Sequence, residues 1–141
     1  MEPRRILVVA NQTAGGDELL DAVTKRAAEG PCHITLLVPA TPPAEHATWT
    51  EGDALAIARR RMAAGVERLA AAGLEVEGTV GDASPVRAID DLLIEHPQDE
   101  IILSTLPPGI SRWLKKDLPH RVELRFALPV TTVISSRQPT A

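Results

Sequence analysis

Short apolar stretches recur along the chain, and segments of helical spacing separate them. Ile6-Leu7-Val8-Val9-Ala10 is apolar without interruption. A half-exposed strand alternates, so an unbroken run predicts a strand covered on both faces, as in a parallel sheet. Residues 11–16 read as loop. From Asp17, the residues Leu20, Val23 and Ala27 fall at helical spacing. Asp17 and Glu18 suit a helix start, and Gly30-Pro31 ends the helix. Residues 34–38, Ile-Thr-Leu-Leu-Val, predict a second strand. Residues 39–50 are rich in Pro and Thr and lack a period, which reads as a mobile loop.

A helix is predicted over 51–72. Leu55, Ala58, Met62, Val66 and Leu69 form its apolar stripe, and Gly73 suits its C-cap. Residues 74–80 alternate, as expected of a third strand near a sheet edge. Ser84-Pro85 fits an N-cap followed by the first helical position. Val86, Ile89 and Leu93 mark that helix's buried face, and His96-Pro97 stops it. Residues 101–103 predict a fourth strand. Leu114, Leu118, Val122 and Phe126 then recur every four residues, and 130–134 predict a fifth strand. Five strands alternate strictly with four helices. This α/β order predicts one domain over 1–141, an open parallel sheet with helices on both faces and a tail from 135. Such sheets bind ligands beyond the carboxyl ends of their strands, where the chain order reverses. The loops at 11–16, 81–84 and 104–112 are therefore the places to look for function.

Composition narrows the function classes. The 141 residues are 44% hydrophobic and 24% charged, ordinary for a single globular domain. Only Trp49, Trp113 and Phe126 are aromatic, so aliphatic side chains make the core, and stacking platforms for single-stranded nucleic acid are lacking. A net charge of −4 argues against a nucleic-acid binder. Cys32 is the single cysteine, which excludes an internal disulfide and a Cys-rich zinc site. The opening apolar run is too short for a signal-peptide core, and no run reaches membrane-spanning length. These features predict a cytoplasmic protein with no membrane contact.

The run Ile6–Ala10 followed by Asn11, Gly81-Asp82 ahead of a helix, and the stretch 101–133 together resemble the universal stress protein family. The closing piece, 121–130, is similar to that family's last helix and strand. The likeness covers nearly the whole chain and rests on order, spacing and hydrophobic pattern. It implies a five-stranded parallel sheet in the order 3-2-1-4-5 and a homodimer formed through the last strand. Many members of the family bind ATP through glycines that let backbone amides approach phosphates. Here those four positions hold Ser104, Pro107, Asp117 and Leu118, and the family's carboxylate after the first strand falls on Asn11. Pro107 and Pro108 offer no amide hydrogen, and Asp117 would repel a phosphate. The resemblance thus implies a member without the usual ATP cradle.

No set of nucleophile, base and orienting residue is evident, so the sequence predicts no enzyme. A receiver-domain reading fails because Asn11-Gln12 stands where an acidic pair is needed. The four histidines lack helical metal spacing, and no metal is expected. Arg59-Arg60-Arg61 reads as a solvated surface, and Arg112, Lys115 and Lys116 as a basic cluster beside the cleft. Trp113 reads as a packing anchor. Asn11, Thr13, Ser104, Thr105, Gly109 and Arg112 are the candidate ligand contacts. Two functions stay open. One is a dimeric binding or regulatory module with no cofactor, acting through an unidentified protein partner. The other keeps adenine-nucleotide binding at a non-standard phosphate site, with AMP-like ligands fitting better than ATP. Val130–Ile134 is β-branched throughout and carries no Pro or charge, so it is the expected dimer edge.

Overall fold

The structure, a computed structural model, describes residues 2–41, 50–109 and 111–135. Most of the predicted 39–50 loop, including His46 and Trp49, and the tail after Ser135 lie outside the described residues. The elements run β1 (Arg4–Val9), α1 (Asp17–Ala27), β2 (Cys32–Pro39), α2 (Glu51–Ala71), β3 (Val76–Gly81), α3 (Pro85–Glu95), β4 (Glu100–Thr105), α4 (Arg112–Lys115), α5 (Leu118–Phe126) and β5 (Val130–Ile134). The five strands form one sheet in the order β3-β2-β1-β4-β5, and every pairing is parallel.

The unbroken apolar run of β1 is explained by its neighbours on both faces. Ile6, Val8 and Ala10 enter one core with Leu19 and Val23 of α1 and Ala58 and Leu69 of α2. Leu7 and Val9 enter the other with Ala88, Ile89 and Leu92 of α3 and Leu118 and Val122 of α5. Successive side chains of a strand point to opposite faces, so a doubly covered strand has no polar side to offer. β5 is paired on one side only, with β4, and Thr131, Thr132 and Ile134 are exposed.

Two expectations need correction. The last helical region is two helices, giving five rather than four among the described residues. The chain breaks at Asp117, whose backbone is left-handed (φ 55°). Pro119 explains the break, because it lacks an amide to extend a helix arriving from α4 and fits only a first turn. Ser84 does occupy the N-cap of α3 with Pro85 following, but its hydroxyl makes no capping bond. Asp82 accepts from the Ser84 amide instead, at 2.8 Å. β1, β2 and β4 are also longer than their apolar runs, β2 reaching Cys32 and Pro39 because ladder pairing with β1 and β3 extends past the core, whereas β3 starts only at Val76 and β5 keeps its predicted bounds.

Candidate functional site

β1 and β4 lie side by side at the sheet centre, yet their following helices pack on opposite faces. The two loops part at this switch point and leave a crevice at the carboxyl ends of the strands. A cavity of about 80 Å³ occupies it. Its lining includes Asn11 and Thr13 after β1, Ser104 and Thr105 ending β4, Ser111 and Arg112 at the start of α4, and Arg61 of α2.

The floor is a buried hydroxyl pair. Thr13 Oγ1 and Ser104 Oγ lie 2.6 Å apart, each 1% exposed as a residue. Beside it the Thr105 hydroxyl donates to the Leu106 carbonyl at 3.0 Å. Asn11 is held at both ends of its amide. Its Nδ2 donates to the Pro39 carbonyl at 2.8 Å, which turns Oδ1 toward Arg61, and Arg61 Nη1 donates to that oxygen.

Helix α2 sets this geometry along one face. A Cβ on Gly65 would lie 2.8 Å from the Ala14 carbonyl and 2.6 Å from Leu36, so only glycine lets the helix settle onto the β1–α1 loop. One turn to either side, Arg61 reaches Asn11, and Arg68 donates to the Gly15 carbonyl at 2.6 Å and pairs with Asp17. The spacing 61, 65, 68 keeps these positions on one helix face.

Arg61 is half-buried, and no carboxylate pairs with it among the described residues. Burial, and then the neighbouring Arg60, push its guanidinium below its ordinary pKa. The described lining holds no Asp or Glu. The described lining therefore includes two guanidinium groups, hydroxyls and Trp113, which also packs against the α3–α5 core.

Five of the six candidate residues, Asn11, Thr13, Ser104, Thr105 and Arg112, line this cavity. Gly109 does not. It is exposed and left-handed (φ 95°), a turn residue of the loop rather than part of the lining. Arg61 corrects the reading of Arg59-Arg60-Arg61 as a solvated surface, since only Arg59 and Arg60 are exposed. The available signal was Gly65, a glycine on the buried side of a long helix, one turn from Arg61.

Pro107 and Pro108 have no N–H, and the Ser111 N–H donates to the Pro107 carbonyl at 2.9 Å. The Ser111 hydroxyl accepts from the Leu114 amide at 3.1 Å. Asp117 is exposed, and its carboxylate lies 3.2 Å from His120 Nδ1. Elsewhere, Cys32 sits at the opposite end of the sheet, where burial pushes its thiol up and away from thiolate chemistry. No group of three or more His, Cys, Asp or Glu among the described residues could hold a metal ion. No described helix is long and apolar enough to cross a membrane.

No protein-family model matches the sequence, and no curated protein does. Solved structures match its fold. A universal stress protein in complex with cAMP is 22% identical with a TM-score of 0.61, covering 94% of this chain and 98% of that one. The universal stress protein from Archaeoglobus fulgidus in complex with dAMP is 16% identical with a TM-score of 0.66, covering 94% and 99%. A protein of the same family from Burkholderia pseudomallei is 13% identical with a TM-score of 0.66, covering 91% and 93%. These matches each extend over more than nine-tenths of the chain, which has the universal stress protein fold, with its strands in the order 3-2-1-4-5.

Proposed function

We propose that this chain is a non-enzymatic binding module that takes an AMP-like ligand, rather than ATP, in the crevice between β1 and β4. The observation that carries this reading is a described lining with two guanidinium groups and no carboxylate. That lining suits an anion, and proteins of the same fold have been solved with cAMP and with dAMP. It favours the nucleotide alternative over a module without a ligand. Pro107 and Pro108 disfavour a polyphosphate, because a triphosphate chain depends on several backbone amides. Catalysis finds no support, since no described lining residue is a carboxylate to hold magnesium or orient water.

The module acts as a homodimer joined along β5. The open edge of Val130–Ile134, with Ile134 48% exposed, supports that arrangement. Mass spectrometry of small molecules released from the purified protein tests the ligand. A co-purifying nucleoside monophosphate is the expected result, and ATP as the released species would refute it. Sedimentation at micromolar concentration tests the dimer, and a monomer there would refute that part.

A further inference from the structure

We infer that Arg61 is the main phosphate receptor of this crevice and that Asn11 is the positioning residue that orients it while leaving its charge uncancelled. The inference rests on the nucleotide reading above and names the charge class of its ligand, a single phosphate monoester.

Asn11 is not itself the phosphate contact. Its amide is committed to the protein, with Nδ2 on the Pro39 carbonyl and Oδ1 on Arg61. It therefore has little left to offer a ligand, although its place after β1 suggests direct contact. What it offers Arg61 is a neutral acceptor. A guanidinium has five N–H donors, and Asn11 uses one of them. It fixes the plane of the group without cancelling its charge. A carboxylate at position 11 would do both, and the crevice would then hold a neutral ion pair.

The other neighbours point the same way. Arg60 lies on the same helix, and no described carboxylate pairs with Arg61. A half-buried cation with no described counter-ion is disfavoured in the folded chain, and burial lowers its pKa accordingly. An anionic ligand relieves that situation. Phosphate oxygens match the remaining fork of N–H donors in bidentate geometry.

Size and charge select among phosphates. The cavity of about 80 Å³ is far smaller than the ~300–1,000 Å³ of pockets that enclose whole drug-sized molecules. It suits one phosphate group, with the rest of the ligand outside it. Arg61 stands on the α2 side and Arg112 on the α4 side of the same cavity. A monoester brings the smallest phosphate charge to Arg61, whereas a triphosphate would bring further charges and, at Pro107 and Pro108, meet no amide donors.

The test is calorimetric titration of the full chain with AMP, ATP, adenosine and inorganic phosphate, using the unaltered protein, Arg61→Met, Asn11→Asp and Asn11→Ser. Melting curves confirm that each variant is folded. The unaltered protein is expected to bind AMP at least tenfold tighter than ATP or adenosine. Arg61→Met is expected to weaken AMP about tenfold or more, the scale of a lost charged hydrogen bond, and to leave adenosine unchanged. Asn11→Asp is expected to weaken AMP similarly by neutralising Arg61. Asn11→Ser keeps a neutral acceptor and is expected to hold AMP affinity within about threefold. A purely structural role for Asn11 would make Ser as harmful as Asp and would alter adenosine equally. Unchanged AMP affinity in Arg61→Met or in Asn11→Asp overturns this inference and leaves the nucleotide reading standing. No AMP binding by the unaltered protein overturns the nucleotide reading itself.

Discussion

The two ends of this sheet treat arginine in opposite ways. At the amino ends of β1 and β4, Glu100 is 6% exposed and its Oε1 accepts from Arg4 Nε at 2.9 Å and from Arg26 Nε at 2.8 Å. At the carboxyl ends, Arg61 meets the amide oxygen of Asn11 and no described carboxylate. The consequences for the two guanidiniums differ in sign. The hydrogen bond and charge of Glu100 push Arg26 above its ordinary pKa, while burial pushes Arg61 below it. One end uses charge to tie α1, β1 and β4 together. The other leaves Arg61 beside a cavity with no described carboxylate, which is what the proposed anionic ligand requires. The same side chain is thus structural or receptive according to whether its partner is an acid or an amide.

The largest effect is expected from the α2 side. Gly65→Val would drive a branched side chain into the Ala14 carbonyl and Leu36, pushing α2 off the β1–α1 loop. A loss of about 3 kcal/mol is expected from overpacking, read by denaturant unfolding, together with loss of ligand binding. At the other end, Glu100→Ala leaves Arg4 and Arg26 without their carboxylate. Removing one partner of a fully buried pair costs about 3–5 kcal/mol, and partial exposure of both arginines lowers the expectation to about 2 kcal/mol. Melting should show the loss while AMP affinity stays the same. A change in affinity would mean that the two ends are coupled.

Two milder substitutions sharpen the contrast. Asn11→Asp gives the upper end the acid it lacks, and the pairing should contribute about 1 kcal/mol to the unliganded protein, the upper range for partly exposed pairs, set against the lost donation to the Pro39 carbonyl. The sign with pH follows from the pairing. A carboxylate beside a guanidinium titrates below its ordinary value of about 3.9, so the gain is complete above about pH 4 and is lost as pH falls further. A difference in stability between variant and parent that persists at pH 2 would contradict the pairing. Arg61→Met should stabilise by about 0.5 kcal/mol, a half-buried unpaired charge being discounted for solvent. A guanidinium stays protonated in a protein, so the unfavourable charge of Arg61 is present throughout the neutral range. Substitution reveals that cost and titration does not. A loss of stability in this variant would show that Asn11 already compensates Arg61 fully.

Much of the fold was legible because burial on both faces leaves a direct trace. Ile6–Ala10 could satisfy only a doubly covered central strand, and the alternation of strands and helices left few ways to arrange them. The crevice was legible from topology, since loops after β1 and β4 must part there, and Asn11, Thr13, Ser104, Thr105 and Arg112 do line it. Arg61 was not, because three consecutive arginines point in three directions and sequence does not say which direction holds the cleft. That choice depends on how closely α2 approaches the β1–α1 loop, which Gly65 sets through a contact distant in sequence. The helix break was hidden by the four-residue recurrence of Leu114, Leu118, Val122 and Phe126, which continues in phase across it. The dihedral angle of Asp117 records the break, and the apolar pattern does not.

That break has a consequence in time. It leaves α4 as a single turn, Arg112–Lys115, with no buried residue of its own. A turn this short has little intrinsic stability and opens at small free energy. Arg61, by contrast, stands in the middle of the 21-residue α2. One wall of the crevice is therefore slow to deform and the other fast. Amide hydrogens at 112–116 should exchange with solvent orders of magnitude sooner than those around 58–66. A bound ligand that engages Arg112 must quiet this turn, so part of its affinity is spent as lost chain entropy. Occupancy should then be readable as slowed exchange in α4, with α2 scarcely altered.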